Sequence, residues 1–370
     1  MRRCVAVWTL LLFGTGGCGL EVGPGLERRT SSTRASFLTY NAGLAHGAVA
    51  LAPERLPRIA AALSESGAEV LCLQEVWRDE DYAALKTALA EAYPYAFREQ
   101  TTDTSPRKVS CDAWSTFRLD RCVASDCTPK GISASECVAG PCQARYAALP
   151  DECKLCLAAN TAAPWQCALF GAKPFAYDGR NGLALFSRFP IDNASYHGFE
   201  TALVKRGAIH ARVGQREVRC THLSAKLDDV PYPKGRRSAS WVDEQREQLR
   251  WLADSSSVHQ CTVLMGDLNA GPQRVGLAAE LGESYDVLLE AGFVEPWSAP
   301  ACTWCKDNPL AGSRQDAWLD HVMFRGCPST LGKSYRRVLD AWVQLVLGST
   351  VLRTRLSDHY GLLAELTDAS

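Results

Sequence analysis

Val70-Leu71-Cys72-Leu73-Gln74-Glu75 is an apolar run that ends in a carboxylate, and its neighbourhood decides how the chain is read. Too short for a helix and apolar at successive positions, it reads as a strand buried on both faces. Upstream, Leu56, Ile59, Ala60 and Leu63 recur at helical spacing, and Phe37-Leu38-Thr39-Tyr40 before them is a second strand. Downstream, Tyr82, Leu85 and Leu89 continue the helical pattern. Strand signals return at Leu183-Ala184-Leu185-Phe186, Val218-Arg219-Cys220, Thr262-Val263-Leu264-Met265 and His321-Val322-Met323-Phe324, with Val242, Leu249 and Leu252 marking a helix between two of them. The alternation predicts a layered α/β domain, two sheets face to face with helices outside, and leaves the strand order open.

Between residues 101 and 173 the periodicity stops, and Cys, Pro, Ser and Ala predominate. This stretch reads as an insertion into a domain running from 35 to 370. Eight of the chain's 16 cysteines lie there, at 111, 122, 127, 137, 142, 153, 156 and 167. An even-numbered cluster suits a disulfide framework. Cys153-x-x-Cys156 and Cys302-x-x-Cys305 each resemble half of a zinc site, but the pairs are far apart in sequence. Cys72, inside a buried strand, reads as a free core thiol, and Trp114, Phe117 and Trp165 as aromatics packed beneath disulfides.

The first 17 residues read as an export signal, with a basic start at Arg2 and Arg3, an apolar run from Cys4 to Phe13 and small residues after it. Cys18 after two glycines resembles a lipoprotein signal, so the chain is either lipid-anchored through Cys18 at a bacterial envelope or cleaved and secreted; residues 18–34 read as a flexible tether. Lys and Arg (40) balance Asp and Glu (41), which argues against a dedicated polyanion-binding module.

Polar residues stand repeatedly at strand ends, where a rigid element presents a side chain at the rim of the core. Asn41 ends the first strand, Glu75 the second, His222 follows Val218-Arg219-Cys220-Thr221, and Asp267 and Asn269 follow Val263-Leu264-Met265-Gly266. Asp320 and Asp358-His359 repeat the pattern. Singly, each is as well explained as a helix cap or an Asx turn. As a set they offer hard oxygen ligands for a Mg²⁺-like ion, two histidines and carboxylates to orient them. His46, His197, His210 and His259 belong to no such pattern, and His321, next to Asp320, points to the other face of its strand.

Seven segments in order resemble the motifs of endonuclease/exonuclease/phosphatase enzymes: Leu38-Thr39-Tyr40-Asn41, Leu73-Gln74-Glu75-Val76, Asn181-Gly182-Leu183-Ala184-Leu185-Phe186-Ser187, Thr221-His222-Leu223, Gly266-Asp267-Leu268-Asn269, Leu319-Asp320-His321 and Ser357-Asp358-His359. The resemblance implies a four-layered α/β/β/α sandwich that hydrolyses a phosphate ester. It makes Glu75 the central ligand of Mg²⁺, or of Mn²⁺ or another divalent cation, with Asn41 beside it and Asp358 as a further metal-facing carboxylate. It makes His359 a general base, Asp320 the carboxylate that fixes its tautomer, Asp267 the residue that orients water and Asn269 a donor to phosphate. His222, in its Thr-His-Leu context, is similar to the histidine of sphingomyelinases, pancreatic-type DNases and inositol-polyphosphate phosphatases, which assists phosphate binding or protonates the leaving oxygen.

Leu71-Cys72-Leu73-Gln74-Glu75-Val76-Trp77, Asp81-Tyr82, Tyr93-Pro94-Tyr95 and Phe189-Pro190-Ile191 look most like neutral sphingomyelinases, which implies a phospholipid membrane surface as substrate and a phosphorylated headgroup as product. The alternative is an extracellular nuclease, with nucleic acid held by Lys234, Arg236, Arg237, Arg246 and Arg250. A third reading, an inactive binding module, conflicts with a full set of site residues.

Overall fold

A computed structural model describes residues 35–368, apart from 101–109, 129–136, 139, 161–164, 170–174, 229, 255–259, 298, 314 and 329–330. The export signal and tether, Cys18 and His259 therefore lie outside the described residues.

The apolar runs form strands with both faces covered. In β1 (Ala35–Asn41) and β2 (Val70–Gln74), Leu38, Tyr40, Leu71 and Leu73 enter one core while Phe37, Val70 and Cys72 enter another. Successive side chains of a strand point to opposite faces, so a strand buried on both sides needs apolar residues in succession. A six-stranded sheet has the order β10-β13-β1-β2-β4-β3, with β3 Tyr95–Phe97, β4 Ala184–Ser187, β10 Leu331–Val338 and β13 Gly361–Asp368. A five-stranded sheet runs in chain order through β5 (Ile191–Gly198), β6 (Gly207–Val213), β7 (Arg216–His222), β8 (Thr262–Asp267) and β9 (Asp320–Arg325).

Phe37, Cys72, Leu185 and Leu362 from the first sheet meet Ile209, Cys220, Met265 and Phe324 from the second in the central core. Helices α1 (Ala52–Ser64) and α2 (Asp79–Ala88) cover the outer face of the first sheet through Ile59, Leu63 and Leu85. The longer helix Trp241–Asp254 and the helix Gly282–Glu290 cover the second through Leu249, Leu252, Tyr285 and Leu288. The layers are thus helix, sheet, sheet, helix.

Cys72 is not a free thiol. It is bonded to Cys220 of β7, so one disulfide joins the two sheets through the central core. Both sulfurs belong to inward-facing positions of strands that pack face to face, a neighbourhood invisible in a linear reading. Cys261–Cys327 and Cys302–Cys305 are the other bonds outside the cysteine-rich stretch, so Cys302-x-x-Cys305 is a disulfide and not half of a metal site. Within that stretch the eight cysteines pair among themselves, as 111–153, 122–142, 127–137 and 156–167, and together with Leu119 and Leu149 they form a separate small core.

Trp114 and Phe117 do not pack beneath these disulfides. They stack on each other on the outer side of the helix Ala113–Cys122, 66% and 53% exposed, while Thr116 and Leu119 face inward. The sulfurs fill the volume that the aromatics were expected to occupy.

Candidate active site

The strand pairing gathers the polar strand ends at one rim. β1 and β2 run parallel with Asn41 beside Gln74, and β7 and β8 run parallel with His222 beside Asp267. β9 runs antiparallel to β8, placing Asp320, its first residue, beside Asp267. Asp358 and His359 sit in the turn that leads into β13, next to β1.

Asn41 Nδ2 donates to Asp267 Oδ2 at 3.0 Å, which links the two sheets at the rim, and Asn41 Oδ1 accepts from the Gly43 backbone at 3.0 Å. His359 Nδ1 meets Asp320 Oδ2 at 2.7 Å, and its Nε2 lies 3.8 Å from Asp267 Oδ2. The Asn269 backbone donates to Asp267 Oδ1, and Asn269 Nδ2 donates to the Leu223 carbonyl and lies 3.2 Å from His222 Nε2. Ser357 Oγ is within hydrogen-bond distance of Asp358 Oδ1 (2.9 Å) and of the Asn41 carbonyl (2.8 Å). These contacts join seven of the eight residues singled out in the sequence, and Glu75 follows directly on Gln74, the partner of Asn41, at the same rim.

Backbone geometry and buried anchors hold them there. Glu75 (φ 58°) and Asn269 (φ 47°) adopt the left-handed region, which costs non-glycine residues on the order of 1–3 kcal/mol each and turns them off their strand axes. Gly43 is left-handed too, and a Cβ there would collide with Asp358 Oδ1 and Ser357 Oγ. Arg55, fully buried on α1, donates to the carbonyls of Ala42, Gly43 and Leu356, tying the chain leaving β1 to the segment that carries Asp358. On the opposite side Gln245 Nε2 lies 2.9 Å from each of the carbonyls of Ser224, Leu268 and Asn269 and shares its two N–H donors among them.

Burial and mutual repulsion set the charges. Glu75 is pushed up to about 7 by burial and by Asp358 and Asp267, against the pull of Arg206 and His359. Its carboxylate accepts no hydrogen bond among the described residues. Asp267 is raised to about 6, by burial and by Asp320. Burial alone would depress His359, but Asp320 and Asp267 hold it up at about 10. A cluster of carboxylates containing one with no donor fits a divalent cation, and Glu75, Asn41 through its second lone pair, and Asp358 are the oxygen ligands at hand.

His222 behaves differently. Arg206 Nη1 approaches His222 Nδ1 at 2.7 Å, and a guanidinium can only donate, so Nδ1 accepts and the ring proton sits on Nε2, 3.4 Å from Asp267 Oδ2. Burial, Arg206 and His359 together hold this histidine well below its usual value, so it is neutral.

Arg206 was not found in the sequence, where it sits between Lys205 and Gly207 without a motif. It is buried, stands over Trp77 at 5.6 Å, and Trp77 in turn stacks on Tyr177 at 4.3 Å. Trp304, whose ring lies 4.7 Å from His359, was missed as well. The remaining histidines stand apart: His46 pairs with Asp81 at 2.8 Å, and His197 stacks on Trp251 with His210 at the same ring. His321 is buried on the far side of β9, paired with Glu295 at 2.7 Å and donating to the Ala270 carbonyl.

The charge pattern carries a prediction. At pH 5.5 Glu75 holds a proton that a cation must displace and Asp267 adds little negative charge nearby, whereas at pH 8 both are ionised. Added Mg²⁺ therefore raises Tm more at pH 8 than at pH 5.5, as measured by thermal unfolding with Mg²⁺ or EDTA; equal shifts at the two pH values contradict the assignment.

Solved structures share the architecture. SmcL matches with a TM-score of 0.56 and 14% identity, over 90% of this chain and 99% of that one. Sphingomyelinase C from Streptomyces griseocarneus matches with 0.53 and 19% identity over the same shares, and beta toxin from Staphylococcus aureus, determined with bound magnesium ions, with 0.56 and 12% identity, again over 90% and 99%. At such identities the likeness is one of fold. No curated protein sequence matches the chain. The sequence model of the Endonuclease/Exonuclease/phosphatase family matches residues 38–359, from the middle of β1 through the Asp320–His359 pair, and the chain belongs to that family.

Proposed function

We propose that the protein is an exported, Mg²⁺-dependent phosphodiesterase that cleaves a lipid headgroup. The observation that carries the reading is the Asp320–His359 pair at 2.7 Å, set at the rim where the donor-free carboxylate of Glu75 also lies. His359 Nε2 faces the site and takes the proton of the attacking water; Asp320 keeps Nδ1 protonated and stabilises the imidazolium that forms. Asp267, within reach of both Nε2 atoms, orients the water. Asn269 and the neutral Nε2–H of His222 donate to phosphoryl oxygens, and Arg206 keeps that histidine in the donating tautomer. Held by Glu75, Asn41 and Asp358, a divalent cation would neutralise the phosphoryl oxygens and stabilise the leaving oxygen. Since His222 is neutral, it serves as a hydrogen-bond donor and not as the acid.

A lipid surface is favoured by the two-stranded hairpin β11 (Val343–Leu347) and β12 (Thr350–Thr354), which leads directly into Asp358 and His359. Val346 is 68% and Val351 59% exposed, facing each other across the hairpin, with Trp342 also exposed. Apolar side chains held out in water on a hairpin that runs on into the site's own segment favour a partner that is itself apolar. The nuclease alternative loses support where Arg237 approaches Glu247 and Arg246 pairs with Glu283. Export is supported by the pairing of every cysteine from Cys72 to Cys327, with Cys18 available for lipidation or processing.

The test is hydrolysis of sphingomyelin liposomes, phosphatidylcholine liposomes and plasmid DNA, with and without EDTA, beside His359→Ala. Cation-dependent headgroup release is the expected result. Plasmid nicking under the same controls, without headgroup release, moves the assignment to a nuclease.

A further inference from the structure

The four residues Cys302-Thr303-Trp304-Cys305 form a closed turn wedged between the two segments that carry Asp320 and His359. Thr303 Oγ1, completely buried, accepts from the backbone of Leu319 at 3.0 Å and of Asp320 at 3.1 Å. The Thr303 carbonyl accepts from the Tyr360 backbone at 2.8 Å, so one residue touches the neighbours of both members of the pair. Thr303 and Trp304 both donate to the Ala317 carbonyl and the Ala317 backbone donates to the Trp304 carbonyl, which anchors the turn to the segment that leads into Asp320. Trp304 also bridges the backbone at His359 and lays its ring against the imidazole.

The Cys302–Cys305 bond closes this turn across its base. Arg337 braces it from outside, with Nη1 3.3 Å from the Cys302 carbonyl and 3.5 and 3.7 Å from the two sulfurs. Cys305 is fully buried and Cys302 half-buried, so the clasp sits at the edge of the interior. The turn belongs to no helix and to no named strand; besides the hydrogen bonds of Thr303 and Trp304, its ends are held by Arg337 at the Cys302 carbonyl, by the Asn308 backbone at the Cys305 carbonyl and by the disulfide.

We propose that Thr303 and Trp304 are positioning residues of the Asp320–His359 pair and that the Cys302–Cys305 disulfide holds them in register. Thr303 fixes the backbone from which the Asp320 carboxylate projects, and Trp304 limits the tilt of the His359 ring. The inference rests on the reading of this pair as the proton-transfer machinery, but its first test does not need turnover.

A hydrogen bond as short as that between His359 Nδ1 and Asp320 Oδ2 gives a downfield proton resonance, assigned by its loss in His359→Ala. That resonance is expected to vanish or broaden in C302A/C305A, Thr303→Val and Trp304→Ala. It is expected to persist in Thr303→Ser, which keeps the accepting oxygen, in Trp304→Phe, which keeps an aromatic ring, and in C261A/C327A. The last variant removes a disulfide from the opposite end of the β8–β9 pair and controls for a general loss of stability. Where hydrolysis is measurable, kcat falls about 10-fold or more in the first group with KM within about twofold, since small misplacements of reacting groups cost rate more than binding. Thr303→Ser stays within about threefold of the parent in kcat, because the conservative change keeps the geometry. An unchanged resonance in C302A/C305A, or equal losses in C302A/C305A and C261A/C327A, overturns the proposal. A changed resonance in a protein that hydrolyses nothing leaves the positioning role intact and removes the phosphodiesterase reading instead.

Discussion

Glu75→Ala is expected to lower phosphodiester hydrolysis by about 10³-fold or more at saturating Mg²⁺, because on the proposed reading several kcal/mol of charge stabilisation at the phosphoryl group depend on the ion this residue would hold. Glu75→Gln, which removes the charge and keeps the shape, leaves the fold intact and stabilises the metal-free protein. Glu75 is half-buried beside Asp358 and Asp267 with no donor among the described residues, and its folded value of about 7 lies above the ordinary carboxylate value of 4.5. A carboxylate raised in this way costs stability in its charged form. The cost is absent below the unfolded value and reaches its full size once the pH has risen through the folded one. Metal-free Glu75→Gln therefore gains Tm over the parent progressively between pH 4.5 and pH 8, while its activity is lost at every pH. Calorimetric scans in EDTA, set beside initial rates in Mg²⁺, check both halves. A variant that loses Tm and activity together would mean that Glu75 serves the fold.

His359→Ala lowers the rate by about 10²–10⁴-fold, the usual contribution of a positioned general base. The metal-free protein holds His359 protonated, with Asp320 and Asp267 keeping it at about 10 against the opposing effect of burial. A base must first lose that proton. A cation held by Glu75 and Asp358 would weaken the negative field around the ring, so the acid limb of the pH–rate profile in Mg²⁺ is expected below pH 10. Asp320→Asn removes the largest favourable charge and moves that limb to lower pH while lowering the plateau, because the Nδ1 proton is no longer fixed. Rates between pH 5 and pH 10 for the parent and Asp320→Asn decide the matter; an acid limb unmoved by the substitution contradicts the assignment of His359 as the base.

The elements that carried the fold were legible because burial on both faces writes itself into consecutive apolar residues, as in Val70–Gln74 and Thr262–Asp267. Asn41, Glu75, His222, Asp267 and Asn269 were legible for the same reason, since a polar residue at the end of such a run stands out. Arg206 did not stand out. It precedes β6 in an unremarkable stretch, and only the pairing of Gly207 with His222 brings its guanidinium to the imidazole. The role of His222 was unreadable for that reason, because a neutral donor and a cationic acid have the same sequence context and differ only in the neighbour at Nδ1. Cys72 was misread because its partner lies on the other sheet, and no local pattern reports contacts across a sandwich. Trp114 and Phe117 were misread because composition does not say which side of a short helix the disulfides occupy.

The inter-sheet bond between Cys72 and Cys220 bears on the order in which the molecule assembles. Cys72 leaves the ribosome before the eight cysteines of the inserted stretch, and its partner follows them, 148 positions later. A chain oxidised strictly in order of emergence would offer Cys72 only wrong partners. The native pairing therefore demands that β2 stay reduced until β7 arrives, or that an early mispair be reshuffled by thiolate attack.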